Sequence, residues 1–262
     1  MPESALHQEH LQRAHYDTLA ADYELHYSDR YSTEYRQRFF YAPMSRDIDL
    51  RGLRVLDAMS GSGQTAEYLS SQGAVVVGLD ISPGVIALFK EKLPQCEAIQ
   101  RSILDTGLPD DSFDCVFVLG GLHHLHPCLH DAMDEIHRIL KPGGFLCFAE
   151  PHSGSLPNLV RRWWYERDPL FERNEASIDV EELEKQNSGR FEFTSAQYLG
   201  NVGYLLVFNS MIFRVPLRFK RLYAPALLKL ESILNRVCTQ KLSCFVVCQW
   251  RKTLAPDRPG EV

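Results

Sequence analysis

The clearest chemical signal in the sequence is a short turn that joins an acid to spaced glycines. Asp57 lies at the end of an apolar run, and Gly61 and Gly63 follow before a helical stretch begins. Because glycine lacks a Cβ, the amides of such a turn can approach a ligand closely, and the next helix N-terminus offers free N–H donors. Further along, Asp80 ends a second apolar run, where an acid can bind both ribose hydroxyls of a nucleoside. Together they predict a pocket for an adenosine-containing ligand.

Two kinds of ligand fit this spacing. Gly61, Gly63 and Ala66 satisfy the GxGxxA pattern of dinucleotide-binding proteins, which is a weak signal by itself. Asp57 would repel a pyrophosphate, whereas it would attract the ammonium and sulfonium groups of S-adenosylmethionine. We therefore expect S-adenosylmethionine as the cofactor, and a NAD(P)-dependent oxidoreductase is the alternative.

The elements that must position these residues follow an alternating pattern. From residue 54 to residue 146, short apolar runs alternate with helical stretches, which is typical of βαβ units around a parallel sheet. The runs are almost continuously apolar, as strands covered on both faces should be. The predicted strands are 54–58, 74–79, 97–100, 115–119, 145–150, 191–198 and 244–250. The predicted helices are 65–71, 84–92, 129–140 and 180–185.

Four motifs in this order resemble those of the class I S-adenosylmethionine-dependent methyltransferases, of the small-molecule type related to quinone-biosynthesis C-methyltransferases. They are VLDAMSGSGQTAEYL (55–69), VVVGLDIS (75–82), LPDDSFDCVFVLGGLHHL (108–125) and KPGGFLCFAEP (141–151). The resemblance covers residues 16–151. It implies a Rossmann-like doubly wound α/β sheet, with seven strands of which the last is antiparallel.

The resemblance also implies a set of residues that contact the cofactor. The segment YDTLAADY (16–23) looks like the part that closes over the cofactor in these enzymes. The implied contacts are Tyr16, Tyr23, Asp57, Gly61, Gly63, Asp80, Ile81, Ser102, Ile103 and Gly120.

Two positions depart from the pattern of the family. Met59 replaces the usual first glycine, and Ser102 stands where many relatives have an acid that binds the adenine amino group. Serine can still accept a hydrogen bond, and the amide of Ile103 could still meet adenine, so we interpret both as variation. They are the only support for a third hypothesis, a catalytically silent binding protein with a methyltransferase fold.

Candidate catalytic residues lie after the fourth and fifth predicted strands. Methyl transfer from a sulfonium depends on positioning and on exclusion of water, so a dedicated base is optional. If the acceptor is a hydroxyl or an acidic carbon, the candidates are His124, Glu150 and His152, because loops at strand C-terminal ends face the ligand crevice. A structural hydrogen bond is the alternative for each. The cluster His123, His124, His126, His130 and His137 could suggest a metal site, but the resemblance accounts for His123 and His124 as the loop after the fourth strand, so we predict no metal.

The predicted organisation is one methyltransferase domain with additions. In the long insertion after the fifth strand, Trp163, Trp164 and Tyr165 either belong to the core or line an acceptor pocket. The predicted parts are an N-terminal helical cover (1–50), the methyltransferase domain (51–252) with its cofactor-binding core (51–150) and acceptor-side cap insertions (151–190 and 203–242), and a flexible tail (253–262).

Charge and hydropathy limit the partners. The net charge of −6 argues against nucleic acid, and we expect a small, potentially lipophilic acceptor instead. Residues 201–252 contain Glu231 as their only acid among many basic residues. Residues 203–222 are apolar and then basic, which predicts a helix on the sheet or, alternatively, a peripheral contact with an anionic membrane or an amphiphilic acceptor. Without a secretory signal or a bilayer-long apolar run, we expect a cytoplasmic protein.

Overall fold

The protein was analysed as a computed structural model, which describes residues 27–165, 176–210 and 216–254. Its strands are β1 (Arg54–Ala58), β2 (Val75–Asp80), β3 (Glu97–Gln100), β4 (Phe113–Leu119), β5 (Leu140–Glu150), β6 (Phe191–Leu199) and β7 (Phe245–Lys252). They form one sheet in the order β3-β2-β1-β4-β5-β7-β6. β1 to β5 run parallel, and β7 is antiparallel to both of its neighbours. The predicted seven-stranded α/β sheet with an antiparallel last strand is confirmed.

The helices lie between and around these strands. They are α1 (Arg30–Arg36), α2 (Ala42–Met44), α3 (Gln64–Ser71), α4 (Pro83–Lys92), α5 (Leu129–Ile139), α6 (Leu156–Tyr165), α7 (Val180–Gln186) and α8 (Leu217–Leu234), with π-helical turns at Gln37–Tyr41 and Tyr204–Phe208 and a 3-10 turn at Leu122–His124. Within the described ranges, no helix combines the length and the apolar character needed to cross a membrane.

The core forms two apolar layers, one on each face of the sheet. Consecutive residues of β4 alternate between them, with Val116 and Val118 on one face and Cys115 and Phe117 on the other. The first layer is closed by α5, whose buried residues recur at helical spacing. The second layer is closed by α3 and α4 together with the aromatic residues of α1 and the π-helical turn that follows it. Burial on both faces explains why the strands are almost continuously apolar.

Two predicted elements differ from the structure by more than two residues. β5 begins earlier than predicted, at Leu140, because Leu140 pairs with Phe113 before the register shifts. The prediction of one helix over 203–222 is wrong. The π-helical turn ends before Asn209, and α8 begins after Pro216, whose ring leaves no backbone N–H for a hydrogen bond to the preceding turn.

Glu231 holds the N-terminal helices against the C-terminal part of the domain. Its carboxylate is fully buried and accepts hydrogen bonds from the Tyr35 hydroxyl (2.7 Å) and from the amides of Asn201 (2.8 Å) and Gly203 (2.8 Å). A buried carboxylate is tolerated only when such donors replace water. The single acid of a basic segment therefore has a structural role.

We expect Glu231→Gln to lower the free energy of unfolding by about 2 to 4 kcal/mol, because the new amide group faces N–H and O–H donors that lose their acceptor. Urea denaturation measures this change. Glu192→Gln, at an exposed position of β6, is the matched control and should change it by less than about 0.5 kcal/mol. Equal effects of the two substitutions would contradict the role assigned to Glu231.

Candidate functional site

The turn after β1 has the backbone geometry that its glycines predict. Gly61 has φ +53° and Gly63 has φ +90°, both in the left-handed region. Met59 has φ +57° as well. This conformation costs a residue with a side chain about 1 to 2 kcal/mol, which explains why glycine is usual there. The turn therefore keeps its shape despite the methionine.

The two glycines of the turn serve different purposes. A Cβ on Gly61 would meet no atom within 4 Å, so this position opens onto free space. A Cβ on Gly63 would lie 2.9 Å from the Phe89 ring and from Leu93, so this position lets α4 pack closely against the start of α3. Gly61 thus leaves room for a ligand in the cavity, whereas Gly63 shapes the turn.

Asp57 is buried at the mouth of β1. Its Oδ2 atom has no hydrogen-bond partner among the described residues. Burial raises the pKa of Asp57 well above its ordinary value, and the charge of Asp80 acts in the same direction. A buried carboxylate oxygen without a donor is costly, and a cationic ligand group would relieve that cost. Asp57 therefore fits the ammonium group of S-adenosylmethionine.

Asp80 connects the end of β2 to this turn. Its carboxylate accepts hydrogen bonds from the amides of Gly61 (3.0 Å) and Ser82 (3.0 Å). Its position at the carboxyl end of a parallel strand is the one expected for a ribose-binding acid.

The structure gives less direct support for the remaining predicted cofactor contacts. Ile81 follows β2, and Ser102 and Ile103 follow β3, at the same edge of the sheet. The Ser102 hydroxyl accepts a hydrogen bond from the Leu104 amide (3.0 Å), and the Ile103 side chain is buried in the core. Tyr16 and Tyr23 lie outside the described residues.

A cavity of about 710 Å³ begins at the turn and extends over the sheet edge. At one end it is lined by polar and small residues, among them Asp57, Ser60, Gly61 and Gly120. At the other end its walls come from α6, the π-helical turn 204–208 and the segment that enters β7. The apolar residues of that end include Phe40, Leu156, Pro157, Val160, Tyr204, Leu205, Phe208, Leu242 and Phe245.

Glu150, which is buried, and His123, which is largely buried, form a pair in the wall of the cavity. Glu150 accepts hydrogen bonds from the amides of Gly121 and Leu122 (both 2.8 Å), and its Oε2 lies 2.7 Å from His123 Nδ1. Burial raises the pKa of Glu150 to about 7, although the amides favour its charged form. Burial also lowers the pKa of His123 to about 3. His123 is therefore a neutral imidazole, and when Glu150 is ionised the Nδ1–H of His123 donates to its carboxylate.

The three predicted catalytic candidates have different surroundings. Glu150 and His124 both line the cavity. His152 is buried outside the lining, with Nδ1 2.6 Å from the Ser153 carbonyl oxygen and Nε2 2.7 Å from the Ser243 hydroxyl. Both ring nitrogens of His152 are engaged, which matches the structural alternative for this residue.

Sequence reasoning missed two arginines in the lining, Arg36 and Arg161. Arg161 has a recognisable signal, because it shares one helical face with Leu156, Pro157 and Val160. Arg36 has no such signal in the sequence, because the helix that carries it, α1, reaches the cavity only through tertiary packing. Trp163, for which the sequence predicted a core or pocket position, is 60% exposed and does not line the cavity.

The comparisons with known proteins agree with this geometry. Residues 56–148 match the family described as Methyltransferase domain. An uncharacterised methyltransferase of Synechocystis sp. is 35% identical over 45% of this chain and 57% of its own length. A demethylmenaquinone methyltransferase of Clavibacter sepedonicus is 35% identical over 42% of this chain and 46% of its own length. The chain thus spans about half the length of the curated relatives it matches.

Solved structures share the fold. An S-adenosylmethionine-dependent methyltransferase of Thermotoga maritima superposes with a TM-score of 0.61 at 17% identity, over 92% of this chain and 99% of that one. The family match over residues 56–148 and the cavity at the motif turn support the methyltransferase domain that the motifs predicted. The same comparisons support S-adenosylmethionine, the cofactor that the motifs predicted for this domain.

We expect the His123 imidazole to stay neutral between about pH 5 and pH 8, because burial lowers its pKa to about 3. Nitrogen-15 NMR of labelled histidine measures both protonation and tautomer. The His123→Gln variant identifies the signal by its disappearance. A His123 signal that titrates near pH 6.5 would contradict this expectation.

Proposed function

We propose that this protein transfers a methyl group from S-adenosylmethionine to a small, lipophilic acceptor. One observation carries the proposal. A single cavity connects the motif turn, with Asp57 and Gly61, to a chamber walled by apolar and aromatic side chains. Small-molecule sites are typically concave and mostly apolar, with few polar groups that set orientation.

The polar end of the cavity is suited to the cofactor. Asp57 would bind the ammonium group, Asp80 would accept from the ribose hydroxyls, and the open side of Gly61 leaves room for close approach. When bound, S-adenosylmethionine supplies an electrophilic methyl group on a sulfonium. The same Asp57 would repel the pyrophosphate of a dinucleotide, which weighs against the oxidoreductase alternative.

The apolar end is suited to hold the acceptor and to exclude water. Methyl transfer is an in-line displacement, so alignment of the two reactants can supply much of the acceleration. Phe40, Tyr204 and Phe208 form an aromatic wall there. We assign the acceptor-side cap to the predicted insertions 151–190 and 203–242, because α6 and the π-helical turn contribute to this wall.

A weak base is available where the two ends meet. The His123 imidazole keeps a lone pair on Nε2, and Glu150 would stabilise the imidazolium formed on proton uptake. Glu150 and His124 also border the cavity and remain candidates. Because the pKa of His123 is as low as about 3, this base suits an acceptor that is already acidic.

The segment 203–222, for which we predicted contact with a membrane or an amphiphilic acceptor, has two parts with different surroundings. Tyr204, Leu205 and Phe208 face the cavity, which favours contact with an amphiphilic acceptor. Phe219 and Leu222 are exposed, and a peripheral membrane contact through them stays a prediction.

Thermal unfolding with separate additions of S-adenosylmethionine, S-adenosylhomocysteine, NADH and NADPH tests the cofactor. A ligand at 100 times its dissociation constant should stabilise the fold by about 2.7 kcal/mol. We expect stabilisation by the two adenosyl ligands only. Stabilisation by a nicotinamide cofactor alone would favour the oxidoreductase, and no response to an adenosyl ligand would favour the silent binding protein.

Asp80→Ala should weaken the binding of S-adenosylhomocysteine about tenfold to 150-fold, because a charge-assisted contact with the ribose is lost. Isothermal titration calorimetry measures the dissociation constant. Glu91→Ala removes an exposed acid from the last turn of α4 and is the control that should bind as the wild type does. Unchanged affinity in Asp80→Ala would show that the ribose lies elsewhere.

A further inference from the structure

We propose that the acceptor carries an oxyanion on an apolar body and that the Arg161 guanidinium binds this oxyanion inside the cavity. The inference rests on the proposed function, since it concerns the acceptor end of the same cavity. It narrows the acceptor from any lipophilic molecule to an amphiphilic acid.

Arg161 is a cation whose hydrogen-bonding capacity is only partly used. Its Nη2 donates to the carbonyl oxygen of Cys244 (2.8 Å), while Nη1 is buried without a hydrogen-bond partner. Within residues 27–165, 176–210 and 216–254, no carboxylate lies at ion-pair distance from it. A buried guanidinium N–H without an acceptor is costly, and an anionic ligand would remove that cost.

The surroundings of Arg161 determine what kind of anion would fit. The guanidinium belongs to a wall made of apolar residues, including Val160, Tyr204 and Phe245. Its positive charge acts on neighbouring groups: it adds to the lowering of the pKa of His123 by burial, and it partly offsets the rise that burial causes in the pKa of Tyr204. A hydrated inorganic anion would gain nothing from such walls, whereas an acid with a hydrocarbon body would bury that body and pair its charge.

A second cation strengthens the preference for a negative acceptor. Arg36 lines the same cavity, donates to the Tyr27 carbonyl oxygen and lies over the rings of Tyr27 (5.5 Å) and Phe208 (5.3 Å). It also has no carboxylate at ion-pair distance in the described part of the chain. Two guanidinium groups in one apolar wall would repel an amine acceptor. An acceptor that binds as an anion needs no strong base, which agrees with the low pKa of His123.

The test compares decanoate with 1-decanol, which share an apolar chain and differ in charge. Dissociation constants are measured by calorimetry at pH 7.5 with saturating S-adenosylhomocysteine. We expect the wild type to bind decanoate at least about tenfold more tightly than decanol, as one charged hydrogen bond implies. Arg161→Gln should abolish this preference, and Arg161→Lys should retain part of it because the charge remains.

Arg162→Gln is the matched control, because Arg162 is the adjacent, exposed arginine of the same helix. It should keep the wild-type preference. Equal binding of the two probes by the wild type would overturn the inference, even if Arg161→Gln does not fold. An equal loss in Arg161→Gln and Arg162→Gln would also overturn it, because general surface charge would then explain the binding. If S-adenosylhomocysteine binds but decanoate is not preferred, only this inference fails.

Discussion

The reversal of strand order between β1 and β4 determines where the cavity can form. From β1 the chain proceeds outward to β2 and β3, and it then returns to place β4 on the other side of β1. The loops that leave β1 and β4 therefore diverge, and a crevice opens between them at the carboxyl edge of the sheet. Asp57 and Gly120, from these two strands, meet in the cavity lining for this reason.

Buried charges in this domain fall into two groups according to how they are satisfied. Glu231 has three donors, and Glu150 is bonded to backbone amides and to His123, so both are anchored within the protein. Asp57 and Arg161 each keep one buried polar atom without a partner in the described ranges. An unsatisfied buried group is costly, so these two atoms are where a ligand would contribute most to binding.

Asp57 and Arg161, each with a buried atom that lacks a partner in the described ranges, carry opposite charges and both line the cavity. The carboxylate of Asp57 belongs to the turn that would hold a cationic cofactor, whereas Arg161 lies among the apolar residues of the cavity wall. Reactants of opposite charge would each pair with the end of the cavity that complements them. Such an arrangement would orient both without a dedicated base, in keeping with the neutral His123.

Local patterns in the sequence were sufficient for the sheet and for the cofactor turn. Apolar runs, helical spacing and the glycines after Asp57 act over a few residues, so strands such as β1 and β3 and the position of Asp80 could be predicted directly. The weaker predictions concerned residues whose role depends on distant partners. His152 resembled a catalytic candidate by position, yet it is bonded to Ser243 from another part of the chain.

Only the tertiary structure decided which residues form the apolar end of the cavity. Tyr35 reaches Glu231 across 196 residues of sequence, and Arg161 meets Cys244 across 83. No periodicity encodes such contacts, because they depend on how whole helices pack once the sheet has formed. The sequence by itself determined the sheet, the motif turn and the class of cofactor, since these follow from local spacing. The packing of α1, α6 and the π-helical turn determined which charges face the cavity, since that depends on burial shared by segments far apart in the chain.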